Sequence, residues 1–246
     1  MNVELVAHHG DDLLVVDAAR VSFGKKSAWE WWDADGRGPC DSPSPCGSYF
    51  SIKKMAEKDV KLINYLAREK HVLPFRHPQI TLRCKAPIFL ARQLGKHQVG
   101  MSWSEESRRY IDSEPEFFWP DKWRKRAENV KQGSSDEVVE KIMCKKYDTE
   151  LRHPTQESAE LVLADCVNLY ESMLDSGVAP ELARMVLPQN MYINWVWTGS
   201  LLSFFEMYKL RSEAHAQVEA QQFAQLVKDV VSNLYPVSWS ALEEHQ

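Results

Sequence analysis

ITLRCKAPIFLARQLGKHQVGMSWSEESRRY, residues 80–110, changes character twice along its length. Ile80, Leu82, Cys84 and Ala86 alternate with Thr81, Arg83 and Lys85, the pattern of a half-buried strand. Pro87 suits the first turn of a helix, and Ile88, Phe89, Leu90 and Leu94 then supply that helix with a buried side. From Gly95 the stretch reads as a polar loop issuing from a buried helix, an arrangement that holds polar groups at a site while the scaffold stays rigid. Arg83, Lys85, Arg92, Lys96, Arg108 and Arg109 gather here with His97, against two acids, Glu105 and Glu106, and such a balance suits a small anion. The alternative is a solvated loop laced by local pairs, since Glu105 and Arg109 have i,i+4 spacing. Charge pattern alone leaves both open.

The 246 residues, 44% of them hydrophobic, can bury one large core or two modest ones, and a single domain over 1–246 is expected. A net charge of −5 gives no basic field for a nucleic-acid polymer. The apolar runs APIFLA and VWTGSLLSFF fall short of the roughly 20 residues that a membrane span needs, so no membrane partner is expected. MNVELVAHHGDD carries neither a basic leader nor a continuous apolar segment, which points to a cytoplasmic protein. Among five cysteines only Cys40 and Cys46 lie close, in PCDSPSPC; without a second ligand pair this reads as a surface turn, and no metal site is expected. Cys84 and Cys166 sit in apolar patterns and read as buried and inert, while His8 and His9 read as surface.

Strand, turn and helix are expected in VELVAHHGDDLLVVDAARVSF, followed by an irregular insertion at about 24–55, rich in Trp, Gly, Pro and Ser. Its position directly after AARVSF makes it either a lid over a site or a peripheral decoration. Met55–Arg68 reads as a helix, residues 121–155 as exposed helix and loop with little functional signal, and Glu157–Ser176 as a helix closed by Gly177. PELARMVLP is a short helix between prolines that carries an isolated Arg184. Two further helices are expected at about 190–208 and 211–232, the second with Arg211, His215, Glu219 and Gln222 in one polar stripe beside an apolar face. Neither a Gly-rich phosphate loop nor a nucleophile elbow is present.

KHQVGMSWSEESRRY resembles the motif of the flavin-dependent thymidylate synthase family, in which Arg-His-Arg is followed after a short spacer by Ser and then Arg-Tyr. AARVSF (18–23), HVLPFRH (71–77), KAPIFLARQ (85–93), ARMVLPQNMY (183–192) and LRSEAHAQVEAQQFA (210–224) resemble family segments in the family's order. The resemblance implies an α/β fold of the α+β type, a mixed, mainly antiparallel sheet packed with long helices, and a homotetramer with active sites between subunits. It implies methylation of dUMP to dTMP, with methylenetetrahydrofolate as carbon donor, FAD carrying the hydride and NADPH reducing the flavin.

By position, Arg211 would be catalytic, lying against the uracil and stabilising negative charge. Gln93, Lys96, Glu105, Ser107, Arg109 and Arg184 would hold dUMP with it. Ser22, His71, Lys96, His97, Gln98, Glu105, Ser200, Glu206 and His215 would meet FAD. Departures from the family pattern are Lys96 and Gln98 for the two arginines, Leu73 for Thr or Ser, and Ser200 and Glu206 for asparagines. A pyrimidine-nucleotide hydroxymethylase, or a nucleotide- or flavin-binding homologue without turnover, is the alternative reading.

Overall fold

The computed structural model describes residues 1–32, 39–40, 52–111, 113–128, 133–144 and 149–246. β1 (Asn2–His9) turns at Gly10, whose φ of 79° places it in the left-handed region, into α1 (Asp12–Arg20), where Asp11 caps the Leu13 N–H. The expected irregular insertion has order in its described part. β2 (Glu30–Trp32), β3 (Pro39–Cys40) and β4 (Ile52–Lys54) make a small sheet in the order β3-β2-β4. Trp29 Nε1 and Lys53 Nζ donate to Asp11, and the Ser27 N–H donates to Asp17, so this sheet is moored to α1. Residues 33–38 and 41–51, Cys46 among them, lie outside the described residues, and with them much of what a lid would require.

α2 (Glu57–Arg68) follows as expected, and its buried Asp59 receives Arg20 and the Ser27 hydroxyl. β5 (Gln79–Pro87) and α3 (Ile88–Leu94) match the alternation and the proline read from the sequence. The polar loop does not stay a loop. β6 (Met101–Glu105) joins the main sheet, because Met101 and Trp103 bury one side of a segment that charge counting alone treats as loop.

Among the described residues of 121–155 no helix forms before Thr155. β7 (Arg124–Arg126) pairs with β8 (Ser134–Val138), and β9 (Met143–Cys144) with β10 (Thr149–Glu150). α4 (Thr155–Asp175) ends near Gly177, at φ 82°. α5 (Pro180–Ala183) passes into a 3-10 turn that leaves Arg184 exposed rather than on a buried helix.

The largest departure is β11 (Tyr192–Ser200), a strand where a helix was expected. Ile193, Trp195 and Trp197 point inward at a period of two, and the β-branched and aromatic residues of YINWVWTGS favour a pleated surface. Because β11 runs directly into α6 (Leu201–Arg211), the combined apolar length imitates one helix. α7 (Val218–Leu234) and an unanticipated α8 (Pro236–His245) complete the order.

The main sheet is antiparallel throughout, in the order β1-β5-β11-β6. Its inner face carries Ile80, Leu82, Trp195 and Trp197 against α6 and α7. Trp195 stacks between Trp103 (centroids 4.4 Å) and Phe223 (5.6 Å), and Trp197 meets Phe204 edge-on at 5.4 Å. No helix of the described residues is long and apolar enough to cross a membrane.

Asp12, 1% exposed, joins distant parts of the chain: its two oxygens accept the Val237 and Ser238 N–H groups at 3.0 and 2.8 Å, capping α8. Burial raises its pKa above 3.8 despite the bonds from Ser238 and Val237. A raised folded pKa gives stability that is present below the unfolded value and is lost as pH rises through the folded one. Asp12→Ala should lower unfolding free energy by about 1–3 kcal/mol in urea titrations. Asp12→Asn, which cannot ionise, should abolish this loss of stability as pH rises above the ordinary carboxylate value.

Candidate active site

α3 ends with Gln93 and Leu94, and the chain turns through Gly95 to Lys96, His97 and Gln98. α6 ends at Arg211 on the facing side. There Arg211 Nε donates to His97 Nε2 at 3.0 Å, and Nη2 donates to the Gln93 carbonyl at 3.1 Å. His97 can accept that bond only when Nε2 is unprotonated. Burial first, and the Arg211 charge second, push the His97 pKa below 6.5; burial also lowers that of Arg211. Arg211, held at two points, faces a cavity of about 620 Å³ lined also by Gln93, Arg124, Ser134, His215 and Gln217.

A second cavity, about 470 Å³, lies on the other side of His97, between Lys96, Gln98, Arg76 and the start of α6. Ser200 caps α6 by accepting the Ser203 N–H at 3.2 Å, and Glu206 stands one turn further on. Gly100 has φ 69°, and a Cβ there would come within 2.7 Å of Ser203 Oγ, so the backbone approaches the helix closely. Two cations at a helix N-terminus make a setting for an anion.

The third and largest cavity, about 900 Å³, shares Lys96 and Gln98 with the second and adds Arg92, Glu105, Arg108 and Arg184. Beside it Arg109 Nε and Arg184 Nη1 converge on the Ser107 hydroxyl at 3.0 and 3.5 Å. Trp103 Nε1 holds Glu105 at 3.1 Å. Glu106 is spent on structure, accepting the Asn194 N–H and its amide, each at 2.9 Å.

A family model described as thymidylate synthase complementing protein matches residues 4–237. A flavin-dependent thymidylate synthase of Thermus thermophilus is 34% identical over 243 residues, covering 99% of this chain and 76% of the relative. The chain belongs to the flavin-dependent thymidylate synthase family. A member from Thermosipho melanesiensis is 36% identical over 222 residues, 90% of this chain and 81% of its own. Among solved structures, the UMP/dUMP methylase PolB from Streptomyces cacaoi, bound with 5-Br dUMP, superposes with a TM-score of 0.71 at 28% identity, covering 99% and 94% of the two chains. The same methylase bound with 5-Br UMP gives 0.69 at 27% identity, with the same coverage.

Within this chain the residues expected from the family motifs form two groups. Gln93, His97, Arg211 and His215 surround the first cavity or its wall, and Ser107, Arg109 and Arg184 gather at the third. Lys96 and Gln98 lie between, while Ser200 and Glu206 line the second. Ser22, in the exposed turn after α1, and His71, edge-on to Tyr65 at 5.9 Å, line none of the three. The described ends of the insertion, 24–32 and 52–55, line none of them either.

The expected polar stripe from Arg211 to Gln222 is not one stripe. Arg211 ends α6, His215 lies in the connection, and Glu219 is in the first turn of α7. Arg76, Arg124, Ser134 and Gln217 line the cavities without having been anticipated. The available signals were the position of Arg76 within HVLPFRH and that of Gln217 within LRSEAHAQVEAQQFA.

A depressed His97 pKa adds stability that is present above the unfolded value and is lost as pH falls through 6.5 toward the folded value. Arg211→Leu, which removes the neighbouring charge, should raise the His97 pKa in an NMR titration.

Proposed function

We propose that this protein methylates dUMP to dTMP, with methylenetetrahydrofolate giving the carbon, FAD the hydride, and NADPH the electrons that reduce the flavin. The observation that carries the reading is the doubly anchored, half-buried Arg211 beside neutral His97, in a chain that matches the family model over 4–237. Negative charge develops on a uracil ring as its C5 is activated toward a carbon electrophile. A guanidinium fixed in advance and partly shielded from water stabilises that charge without reorganising. Neutral His97 accepts the Arg211 Nε–H and the Gln93 carbonyl accepts one Nη2–H, which leaves the other guanidinium N–H groups to the substrate. Ser107, Arg109 and Arg184 provide two guanidinium forks and a hydroxyl for the nucleotide phosphate. Cys84, 1% exposed with its thiol pKa pushed far up by burial, is held out of the chemistry.

The second cavity fits the anionic part of a flavin nucleotide. Arg76, Lys96 and the N-terminus of α6 match a diphosphate, and the Glu206 carboxylate can accept from sugar hydroxyls, a different use of the position from the family's amide. When bound, the flavin supplies the hydride that completes the methyl group. Because the phosphate group of residues and the Arg211 cavity are separate in one protomer, we assign the complete site to a homotetramer, in which one subunit's Ser107, Arg109 and Arg184 reach a neighbour's Arg211 cavity. UMP is a second substrate to consider, since the similar PolB methylase is described as acting on both nucleotides and was bound with an analogue of each.

Incubating the purified protein with dUMP, methylenetetrahydrofolate, FAD and NADPH should give dTMP by mass spectrometry. A hydroxymethyl product, or NADPH oxidation independent of nucleotide, would overturn the reading. Parallel assays with UMP measure the sugar preference. Arg211→Gln should lower kcat/KM by about 10²–10³. Arg184→Ala should act chiefly on the KM for dUMP.

A further inference from the structure

The charged residues 121–155 carry little functional signal in the sequence, yet their first hairpin forms part of the Arg211 cavity. β7 and β8 are held together by Lys125–Glu137 at 2.9 Å and steadied by Lys122–Asp136 at 3.7 Å. Trp123 Nε1 donates to Gln156 at 2.8 Å, and Thr155 Oγ1 to the Val139 carbonyl at 2.9 Å, which fastens the hairpin to α4. The hairpin thereby carries Arg124, whose side chain is 15% exposed, against the first turn of α7.

A directional chain of bonds begins there. Arg124 Nε donates to Ser134 Oγ at 2.9 Å, and Nη2 donates to Glu219 Oε1. Glu219 is 4% exposed, and its other oxygen accepts from Gln217 Nε2 at 2.9 Å. A carboxylate only accepts, so Gln217 must turn its NH₂ toward Glu219 and its oxygen toward Gln93, whose Nε2 donates to it at 2.5 Å. From the Gln93 side chain the link continues covalently to the Gln93 backbone carbonyl, which accepts Arg211 Nη2, and Arg211 Nε donates to His97.

We propose that Arg124 is a positioning residue for Arg211: it neutralises Glu219 and so keeps that buried carboxylate from drawing the Arg211 guanidinium away from the substrate. This rests on the reading of Arg211 given above. Arg124, Gln217 and Arg211 line one cavity, and Lys122 lines another with Arg124 and Glu219, so Arg211 and Lys122 are the cations that an uncompensated Glu219 would draw when Arg124 is lost, and a move of Arg211 is the one that His97 reports.

The test compares Arg124→Gln, Arg124→Lys and the double variant Arg124→Gln/Glu219→Gln with the wild type, all as flavin-loaded protein. Three quantities are read: kcat and KM for dUMP, melting temperature, and the NMR titration of His97. Arg76, Lys96 and Glu206, which line the cavity on the far side of His97, are unchanged in every variant.

Arg124→Gln should lower kcat/KM by about tenfold or more, mostly through kcat, because a small displacement of a reacting group is expensive. It should also raise the His97 pKa as Arg211 departs. Arg124→Lys should recover part of the activity. The double variant, which removes the anion together with its counter-ion, should return His97 and kcat toward wild-type values.

A merely structural Arg124 would lower the melting temperature and leave kcat and His97 unmoved. That result, or a double variant as impaired as Arg124→Gln, overturns the proposal. Should Arg124→Gln not fold, Ser134→Ala removes the Nε bond at an exposed position and should move both readouts in the same direction by less. A wild-type protein without dUMP turnover would refute the proposed reaction, while the His97 titrations would still decide the role of Arg124.

Discussion

A single guanidinium bridges the ends of two helices that the main sheet holds in place. Arg211 leaves the C-terminus of α6 and bonds the Gln93 carbonyl at the C-terminus of α3, a carbonyl at the negative end of that helix dipole that also accepts the Lys96 N–H at 3.4 Å. The arrangement depends on β11, which runs beside β5 and then into α6. The register of one strand against the next therefore fixes how far α6 lies from α3. A slip of one residue would turn Trp195 and Trp197 outward and dismantle the core and the cation's anchorage together.

Local patterning carried much of this architecture into the sequence. The alternation of Ile80, Leu82, Cys84 and Ala86 and the helix start at Pro87 could be read directly, since both rest on neighbouring residues. β11 could not, because its aromatic alternation merges with LLSFF, and the tertiary pairing that separates strand from helix lies far away in the chain. β6 was hidden for a related reason: its polar residues face outward from a strand whose inward residues, Met101 and Trp103, are few. Gln93, His97 and Arg211 came from motif segments and lie within bonding reach of one another. Gln217 lies in such a segment without being singled out, and Arg124 lies outside all of them, since an ordinary arginine in a charged run has no local mark of its distant partner Glu219.

The departures from the family pattern make more sense together than singly. Gln98 removes a cation from the wall between the second and third cavities, and Arg76 places one on the second. Glu206 stands on the same wall, so the pocket presents cations and a carboxylate together.

The clasp between Asp12 and the backbone of α8 also bears on how the protein is made. Tyr235 reaches the His9 carbonyl at 3.2 Å and Gln246 the Ala67 carbonyl at 3.1 Å, so α1, α2 and β1 all finish their packing on residues beyond 234. On a ribosome those partners emerge only after more than two hundred residues have been translated, and the early helices must wait with apolar faces uncovered. Nascent chains of this protein should therefore expose these apolar faces to holdase chaperones until the residues beyond 234 have emerged.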